Sequence, residues 1–393
     1  MRALSIRRLT LRATFGFLAL LMLGLGASLT CAAEEASDSS TDAPATFTYS
    51  GYVDLSYEHI SGLGLLSSGS TSRVFDSQVD AFMWHQVALN LAYQPKEGFG
   101  YAMTLMAGQD PNVYAPYPAN PNDTRHFDYP TAYVQYAHGP WLVMAGRYVT
   151  LAGSEFIDPT VNSNFSRSIL YGFAIPFAHT GVRVTYAASD QLHWIVGVNN
   201  GWDDLRPTTT AKTAELGVAY TPSKAFALSV QGYFGDARVG GLTNEGPIGK
   251  RDLIDAVALW NVTDALALSV NVDWGRQAGV TPVGLLPDAG GDATWQGIAG
   301  YINYQLSEQW RTSFRLEYFD DVDGYRSGLS QKWKEATLTY AYAPMKSTEI
   351  RFELRYDLSS EKAFVQSPLT IDDAYADLAS HQSSVGLEVL YKF

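Results

Sequence analysis

The sequence has little charge, a single cysteine and few apolar runs. Only 17% of its 393 residues are charged, against about 25% in soluble domains. The one cysteine, Cys31, excludes a disulfide framework. Basic residues are in the minority, and a net charge of −13 argues against nucleic-acid binding. After residue 33 no segment offers 18 consecutive apolar residues, which excludes spanning helices.

The amino-terminal segment predicts a secretory signal peptide over residues 1–33. An apolar stretch from Phe15 to Leu29 follows a basic region, and small residues end the segment. The basic residues are Arg2, Arg7, Arg8 and Arg12. The alternatives are an uncleaved anchor, which needs about 20 apolar residues, and lipidation of Cys31. Removing residues 1–33 leaves a chain of net charge −17. Residues 34–45 are small and acidic, and predict a flexible lead-in.

From Thr46 onward, apolar residues recur at every second position, which is the period of β-strands. The clearest segment sets Ile350, Phe352, Leu354, Tyr356 and Leu358 against Glu349, Arg351, Glu353, Arg355 and Asp357. The carboxyl-terminal segment alternates in the same way from Val385 to Phe393. One face of each predicted strand is therefore apolar and the other polar.

Short turns alternate with long connections along the whole repeat. Seven short turns are centred near residues 94–98, 138–140, 189–191, 222–224, 263–264, 307–309 and 343–346. Eight long connections span residues 61–78, 109–130, 150–176, 201–211, 236–250, 276–294, 320–331 and 359–381. Fifteen connections predict 16 strands, with both chain ends on the side of the short turns.

A soluble β-sandwich is the alternative fold for alternating strands. It would expose continuous apolar stripes to water, which promotes aggregation. Aromatic residues such as Tyr136, Trp141, Trp194 and Trp310 flank the short turns, as expected at a membrane interface. We therefore expect an all-β, antiparallel, up-and-down transmembrane barrel over residues 46–393, because closure leaves no unpaired strand edge in lipid.

Three stretches resemble the OmpL-like family of β-barrel porins. They are Tyr49–Glu58 (YSGYVDLSYE), Gly146–Tyr186 (GRYVTLAGSEFIDPTVNSNFSRSILYGFAIPFAHTGVRVTY) and Gly197–Asp204 (GVNNGWDD). The resemblance implies a Gram-negative outer-membrane barrel and a pore, with no assigned solute. The terminal strand ending in Tyr391 and Phe393 also resembles the signal that the outer-membrane assembly machinery recognises.

The polar face of each strand is expected to line an aqueous lumen, since about 16 strands enclose one. The predicted wall and constriction residues are Arg147, Glu155, Asp158, Arg167, Arg183, Arg311, Arg315, Glu317, Glu349, Arg351, Glu353 and Arg355. Further charged residues on this face are Asp54, Glu58, Glu215, Asp273, Glu335, Asp357 and Glu388. The other interpretation is that these charges form cross-strand pairs that stiffen the wall.

The connection over residues 150–176 is the candidate constriction loop. It carries Glu155, Asp158 and Arg167 together with apolar Phe156, Ile157, Phe165, Ile169 and Leu170. An external loop has less use for those apolar side chains, so we hypothesise that it folds into the barrel. Its acids would then face the wall arginines and create a transverse field.

Enzyme and metal chemistry find little support. The histidines (His59, His85, His126, His138, His179, His193 and His381) contain no i, i+4 pair, and G-x-S-x-G and P-loop motifs are missing. His179 and His193 lack a convincing serine partner. Residues 320–324 (DDVDG) match only part of a calcium loop, so a solvated acidic loop is expected there. We predict neither cofactor nor catalytic residue.

Two functions remain open. The first is a passive diffusion channel in the outer membrane for small hydrophilic solutes or ions. The second is a non-conducting barrel with a surface-binding, adhesive or structural role. The expected partners are outer-membrane lipid, the solute and the barrel assembly machinery, with no nucleic acid; a homotrimer is left open.

Overall fold

The computed structural model describes residues 45–64, 72–76, 78–114, 126–203, 209–238, 248–280, 291–366 and 377–393. The predicted signal peptide, residues 1–33, lies outside the described residues, as does the predicted lead-in up to residue 44. Within the described ranges no helix is both long and apolar enough to cross a bilayer.

Sixteen antiparallel strands close into one barrel, which confirms the predicted fold. The first eight are β1 (Thr48–Ile60), β2 (Ala81–Tyr93), β3 (Gly98–Ala107), β4 (Phe127–His138), β5 (Trp141–Val149), β6 (Ala178–Ser189), β7 (Leu192–Asn199) and β8 (Thr213–Ser223). The second eight are β9 (Phe226–Arg238), β10 (Ile248–Asn261), β11 (Leu266–Val280), β12 (Gly291–Gln305), β13 (Trp310–Asp321), β14 (Gln331–Met345), β15 (Thr348–Ser359) and β16 (His381–Lys392). Each strand pairs with its sequence neighbours, and β1 pairs with β16.

A few short elements lie in the long connections. They are a helix α1 (Pro111–Tyr114), a 3-10 turn (Pro159–Val161) and a π-helical turn (Leu170–Ala174). Three two-residue strands, Leu63–Gly64, Phe364–Val365 and Leu378–Ala379, form a separate small sheet. The hydrophobic period does not reveal elements this short.

The strands beside two long connections extend further than predicted. Arg238 at the end of β9 pairs with Ile248 at the start of β10. Val280 likewise pairs with Gly291, so the loops expected at 236–250 and 276–294 are shorter. The reason is that backbone pairing continues through polar residues, where the apolar alternation used to delimit strands no longer holds.

The outer surface of the barrel is apolar. On β15, Phe352 and Leu354 are 43% and 42% exposed, while Glu353 between them is buried. Rings at the short-turn end, including Trp141, Trp194, Trp260 and Trp310, are also exposed. This surface suits contact with hydrocarbon and with a membrane interface.

The seam between β1 and β16 joins the two ends of the barrel sequence. The N–H of Gly51 donates to the carbonyl of Phe393 at 2.8 Å, and the reverse bond measures 2.9 Å. A Cβ on Gly51 would lie 2.6 Å from the carbonyl oxygen of Ala88 and 2.3 Å from the Phe393 ring. Only glycine allows this close approach.

Candidate functional site

The loop of residues 150–176 lies inside the barrel and is bound to the wall by its main chain. The N–H groups of Phe165 and Ser166 donate to the Glu353 carboxylate at 2.7 and 2.9 Å. Those of Ile169 and Leu170 donate to the Glu317 carboxylate at 3.0 and 3.1 Å. The wall carboxylates therefore satisfy main-chain donors of the loop inside the lumen.

Wall arginines bind the carbonyl groups of the same loop. Arg351 donates to the carbonyls of Pro159 and Asn162 at 3.1 and 2.9 Å. Arg315 donates to the carbonyl of Ser166, and Arg355 to that of Arg167, both at 2.7 Å. Arg311, nearer the short turns, reaches the carbonyl of Ser163 at 2.6 Å. Four guanidinium groups on β13 and β15 thus hold the loop to one side of the barrel.

Glu155 is the loop acid that meets the arginine cluster. Its carboxylate lies 2.8 Å from the Arg315 guanidinium. It also accepts the N–H of Ser168 at 2.8 Å and the Tyr301 hydroxyl at 3.4 Å. The ion pair is buried, since the Arg315 side chain is 0% exposed.

Asp158 departs from the expected arrangement. Its carboxylate accepts the N–H of Thr160 at 2.8 Å and caps the 3-10 turn instead of facing a wall arginine. Burial raises the pKa of Asp158, and the hydrogen bonds from Thr160 oppose that rise. A short carboxylate placed just before a helical turn finds its donors locally, which explains the difference.

Arg167 turns inward to carbonyl groups and rings. Its Nη2 donates to the carbonyl of Ile157 at 3.1 Å. Its Cζ atom lies 5.9 Å from the ring centroids of both Phe75 and Tyr171. Arg167 is therefore part of the loop packing, and among the described residues it has no ion pair within 4 Å.

Several of the remaining predicted wall residues form ion pairs. Arg147 on β5 meets Asp128 at 2.5 Å, and Arg183 on the adjacent strand β6 meets Glu215 at 2.7 Å. Across β13–β16, Arg311 meets Glu349 at 2.6 Å, and the further buried charges are Glu335, Asp357 and Glu388 on these strands and Glu58 on β1. The structure brings Arg311, Arg315, Glu317, Glu349, Arg351, Glu353 and Arg355 together with the loop, and leaves Arg147 and Arg183 apart from that group.

An apolar cluster inside the barrel was not predicted. Ile169 and Leu170 of the loop pack in one buried cluster with wall residues Trp295, Phe319 and Trp333. Inward-facing rings at polar-face positions of β12, β13 and β14 were the available signal in the sequence. These rings show that the loop packs on apolar wall residues in addition to the charged ones that it binds.

A hydrogen-bonded chain of Ser56, His85 and Asp110 also lies on the inner wall. Ser56 Oγ is 2.8 Å from His85 Nε2, and His85 Nδ1 is 3.0 Å from Asp110 Oδ1. The Phe165 ring of the loop lies edge-on to the imidazole, with centroids 5.6 Å apart. All three side chains are buried. Through the contact with the Phe165 ring, this hydrogen-bonded series helps to hold the loop in place. The expected lack of catalysis stays a prediction.

The acidic segment after β13 binds its own backbone. The Asp321 carboxylate accepts the N–H groups of Arg326 and Ser327 at 3.0 and 2.7 Å, and Asp323 accepts that of Thr294 at 2.8 Å. Across the described ranges, no group of three or more His, Cys, Asp or Glu residues is arranged to hold a metal ion. The acids therefore order the turn.

The barrel is similar in fold to several solved outer-membrane proteins. An anion-selective porin from Comamonas acidovorans has 14% identity and a TM-score of 0.57, with 89% of this chain and 100% of that chain covered. The outer-membrane channel DcaP of Acinetobacter baumannii has 13% identity and a TM-score of 0.54, covering 90% and 99%. The trimer form of OmpT from Vibrio cholerae has 10% identity and a TM-score of 0.57, covering 89% and 100%.

The sequence comparison identifies the family. No curated protein matches the chain. The family model "Putative beta-barrel porin-2, OmpL-like" matches residues 46–393, which is the whole predicted barrel. The chain therefore belongs to the OmpL-like β-barrel porin family.

Proposed function

We propose that this protein is an outer-membrane porin, a passive diffusion channel for small hydrophilic solutes or ions. In this proposal the loop of residues 150–176 is the constriction. The observation that carries it is the loop bound inside a closed barrel by wall charges, notably through Glu155 and Arg315 at 2.8 Å. Fixed charges beside a narrow passage select solutes by charge and dipole.

The surface of the barrel supports the proposed location. Exposed apolar residues such as Phe352 and Leu354 need lipid, because a soluble barrel would carry them against water. The anion-selective porin of Comamonas acidovorans and the outer-membrane channel DcaP, which share this fold, favour a channel role for this chain. The trimer form of OmpT makes a homotrimer our proposal for its assembly.

Conductance measurements in planar bilayers test the constriction. Replacing Glu155 and Asp158 together by alanine removes one ion pair and one turn cap, and we expect larger conductance and altered ion selectivity. The matched control is Asp264→Ala with Glu308→Ala, which removes two acids from exposed short turns. If conductance and selectivity stay at the wild-type values in the first double variant, the loop is not the constriction.

A second candidate is a barrel that does not conduct. It is favoured by the burial of Arg315, Arg351 and Glu353 under the loop and by the apolar cluster around Trp295 and Trp333. Its role would then be surface binding, adhesion or structure through the long connections. A liposome swelling assay separates the candidates: swelling that falls with solute size supports the channel, and tight liposomes support the second candidate.

A further inference from the structure

A cluster of arginine and aromatic side chains lies at the long-loop end of the barrel. We name it the Trp202 cluster, after its central residue, and define it as Trp202, Arg251, Trp295, Tyr325 and Arg326. Trp202 follows β7, Arg251 and Trp295 lie on β10 and β12, and the other two follow β13. None of the five belongs to the predicted constriction.

Two guanidinium groups flank one indole ring. The Cζ atoms of Arg251 and Arg326 lie 5.2 and 5.5 Å from the ring centroid of Trp202. Arg326 also lies 5.3 Å from the ring centroid of Trp295, and the rings of Trp295 and Tyr325 stack with centroids 5.9 Å apart. Cation–π contacts of this kind orient a guanidinium without neutralising its charge.

The carboxyl-terminal part of the constriction loop holds the cluster in place. The Asp203 carboxylate accepts the N–H groups of Phe177 and Ala178 at 2.6 and 2.8 Å, which positions Trp202 beside it. Arg326 Nε donates to the carbonyl of Phe173, and Trp295 Nε1 donates to that of Ala174 at 3.0 Å. The site is thus organised before any ligand arrives, which lowers the entropy cost of binding.

The cluster has hydrogen-bond donors that are not used. In the part of the chain that the structure describes, Arg326 has no ion pair within 4 Å, and its one side-chain hydrogen bond leaves through Nε. The indole N–H of Trp202 is buried and has no partner there. The nearby Asp321 carboxylate is occupied by backbone N–H groups.

Electrostatics at the cluster favours an anion. Burial lowers the pKa of the Arg326 guanidinium and the positive charge of Arg251 lowers it further, while Tyr325, Asp321 and Asp203 oppose this with smaller effects. Arg251 donates to Gln277 Oε1 and to the Tyr325 hydroxyl, both at 2.6 Å, which fixes its guanidinium beside the Trp202 ring. An anion at this point would accept the unused donors of Arg326 and Trp202 and would pair with the Arg326 charge.

We propose that the Trp202 cluster binds the carboxylate of a small organic acid. The two Nη groups of Arg326 and the Nε1–H of Trp202 donate to the carboxylate oxygens, and the indole and phenol rings flank the organic part. This inference deepens the proposed channel function, on which it rests, by naming carboxylates as the solute class met at the long-loop end.

Isothermal titration calorimetry on the purified mature chain in detergent tests the site without needing conduction. The probe is benzoate, and benzamide is its neutral analogue. We expect benzoate to bind and benzamide to bind at least tenfold more weakly. Arg326→Gln should weaken benzoate binding about tenfold, the effect of losing one charged hydrogen-bonding group. Trp202→Phe, which keeps a ring and removes the N–H, should weaken it by a smaller factor.

Arg276→Gln is the matched control, since Arg276 lies near the same end of the barrel and pairs with Asp292 instead. It should bind benzoate as the wild type does. Heat-modifiable migration in SDS gels verifies that each variant forms the barrel. Equal binding of benzoate and benzamide, or unchanged benzoate affinity in folded Arg326→Gln, overturns the inference. Benzoate binding to a protein that leaves liposomes tight would instead support the site and reject the channel.

Discussion

Asp255 and Asp273 are a pair of residues that lowers the stability of the barrel wall. They face each other across β10 and β11 and are 0% and 1% exposed. Asp255 Oδ2 accepts Asn271 Nδ2 at 2.6 Å and the N–H of Gly153 at 3.1 Å. Neither oxygen of Asp273 accepts a well-formed hydrogen bond from a donor among the described residues, and the side chain lies against the Asp255 carboxyl. Two buried acids directly opposite each other oppose strand pairing.

Asp273→Asn should therefore stabilise the barrel. An amide at this position removes the cost of opposing two carboxyl groups, which must repel each other or share a proton, and it can donate to Asp255 Oδ1. We expect the free energy of unfolding to rise by about 1 kcal/mol, the usual worth of one hydrogen bond. Urea unfolding in lipid vesicles, followed by tryptophan fluorescence, measures the change. Asp255→Asn is the comparison and should gain less, because its carboxylate already has two donors. A less stable Asp273→Asn barrel would contradict the reasoning.

The element that gives the interior its shape is the loop of residues 150–176. Glu317 and Glu353 each accept two consecutive main-chain N–H groups of this loop. Both side chains lie on barrel strands and are buried beneath the loop. Hydrogen bonds to a buried carboxylate are about twice as strong as neutral ones, so these two residues control the seating of the loop.

Glu317→Gln combined with Glu353→Gln should release the loop from the wall. Each glutamine offers one acceptor oxygen instead of two, so one charged hydrogen bond worth about 1.5–3 kcal/mol is lost at each position. We expect a larger and noisier single-channel conductance, together with faster proteolysis between residues 150 and 176. Glu361→Gln, an exposed acid after β15, is the control. A double variant with wild-type current and protection would show that the wall arginines alone hold the loop.

The seam of the barrel depends on Gly51. Because an added Cβ would lie 2.6 Å from a backbone oxygen of β2, Gly51→Ala must displace the strand. Overpacking of this kind costs about 1–3 kcal/mol. The measurement is the fraction of heat-modifiable, folded barrel after refolding into detergent. Ala102→Gly on β3 is a control that changes the same group in the opposite direction, and an equal folded fraction for Gly51→Ala and the wild type would refute the prediction.

At the scale of the whole molecule, the net charge of −13, which the predicted removal of residues 1–33 would make −17, does not predict selectivity. The wall arginines Arg147, Arg183, Arg311, Arg315 and Arg351 all form ion pairs with carboxylates. Charges elsewhere on the barrel are screened over about 8 Å at physiological salt. Paired charges beside the passage should therefore dominate over the total.

We accordingly expect only mild ion selectivity. The measurement is the reversal potential of the wild-type protein, the proposed channel, in a planar bilayer under a potassium chloride gradient. It should lie well away from both the ideal cation and the ideal anion limits, and should change little between low and high salt. A reversal potential close to either limit would mean that unpaired charges control the passage.

The sequence was informative wherever one period runs through a whole strand. Alternation in Thr348–Leu358 places Phe352 outside and Glu353 inside, and the barrel has them there. Loop positions follow no period, so the capping role of Asp158 was missed, although its place two residues before Thr160 was visible. The hydrogen bonds from Ser56 to His85 and from His85 to Asp110 join residues far apart in the sequence. No regular spacing in the sequence predicts them.

The sequence by itself determined the closed 16-strand barrel, its apolar exterior and its alternation of short and long connections, because the apolar–polar alternation that lipid contact requires is present within each strand. Only the tertiary structure decided which charges meet. Glu155 lies beside Arg315, and Trp202 beside Arg326, through contacts between distant strands and loops. Such contacts depend on how closure of the barrel brings its walls around the loop. Local periodicity carries no information about which residues of distant strands and loops become neighbours.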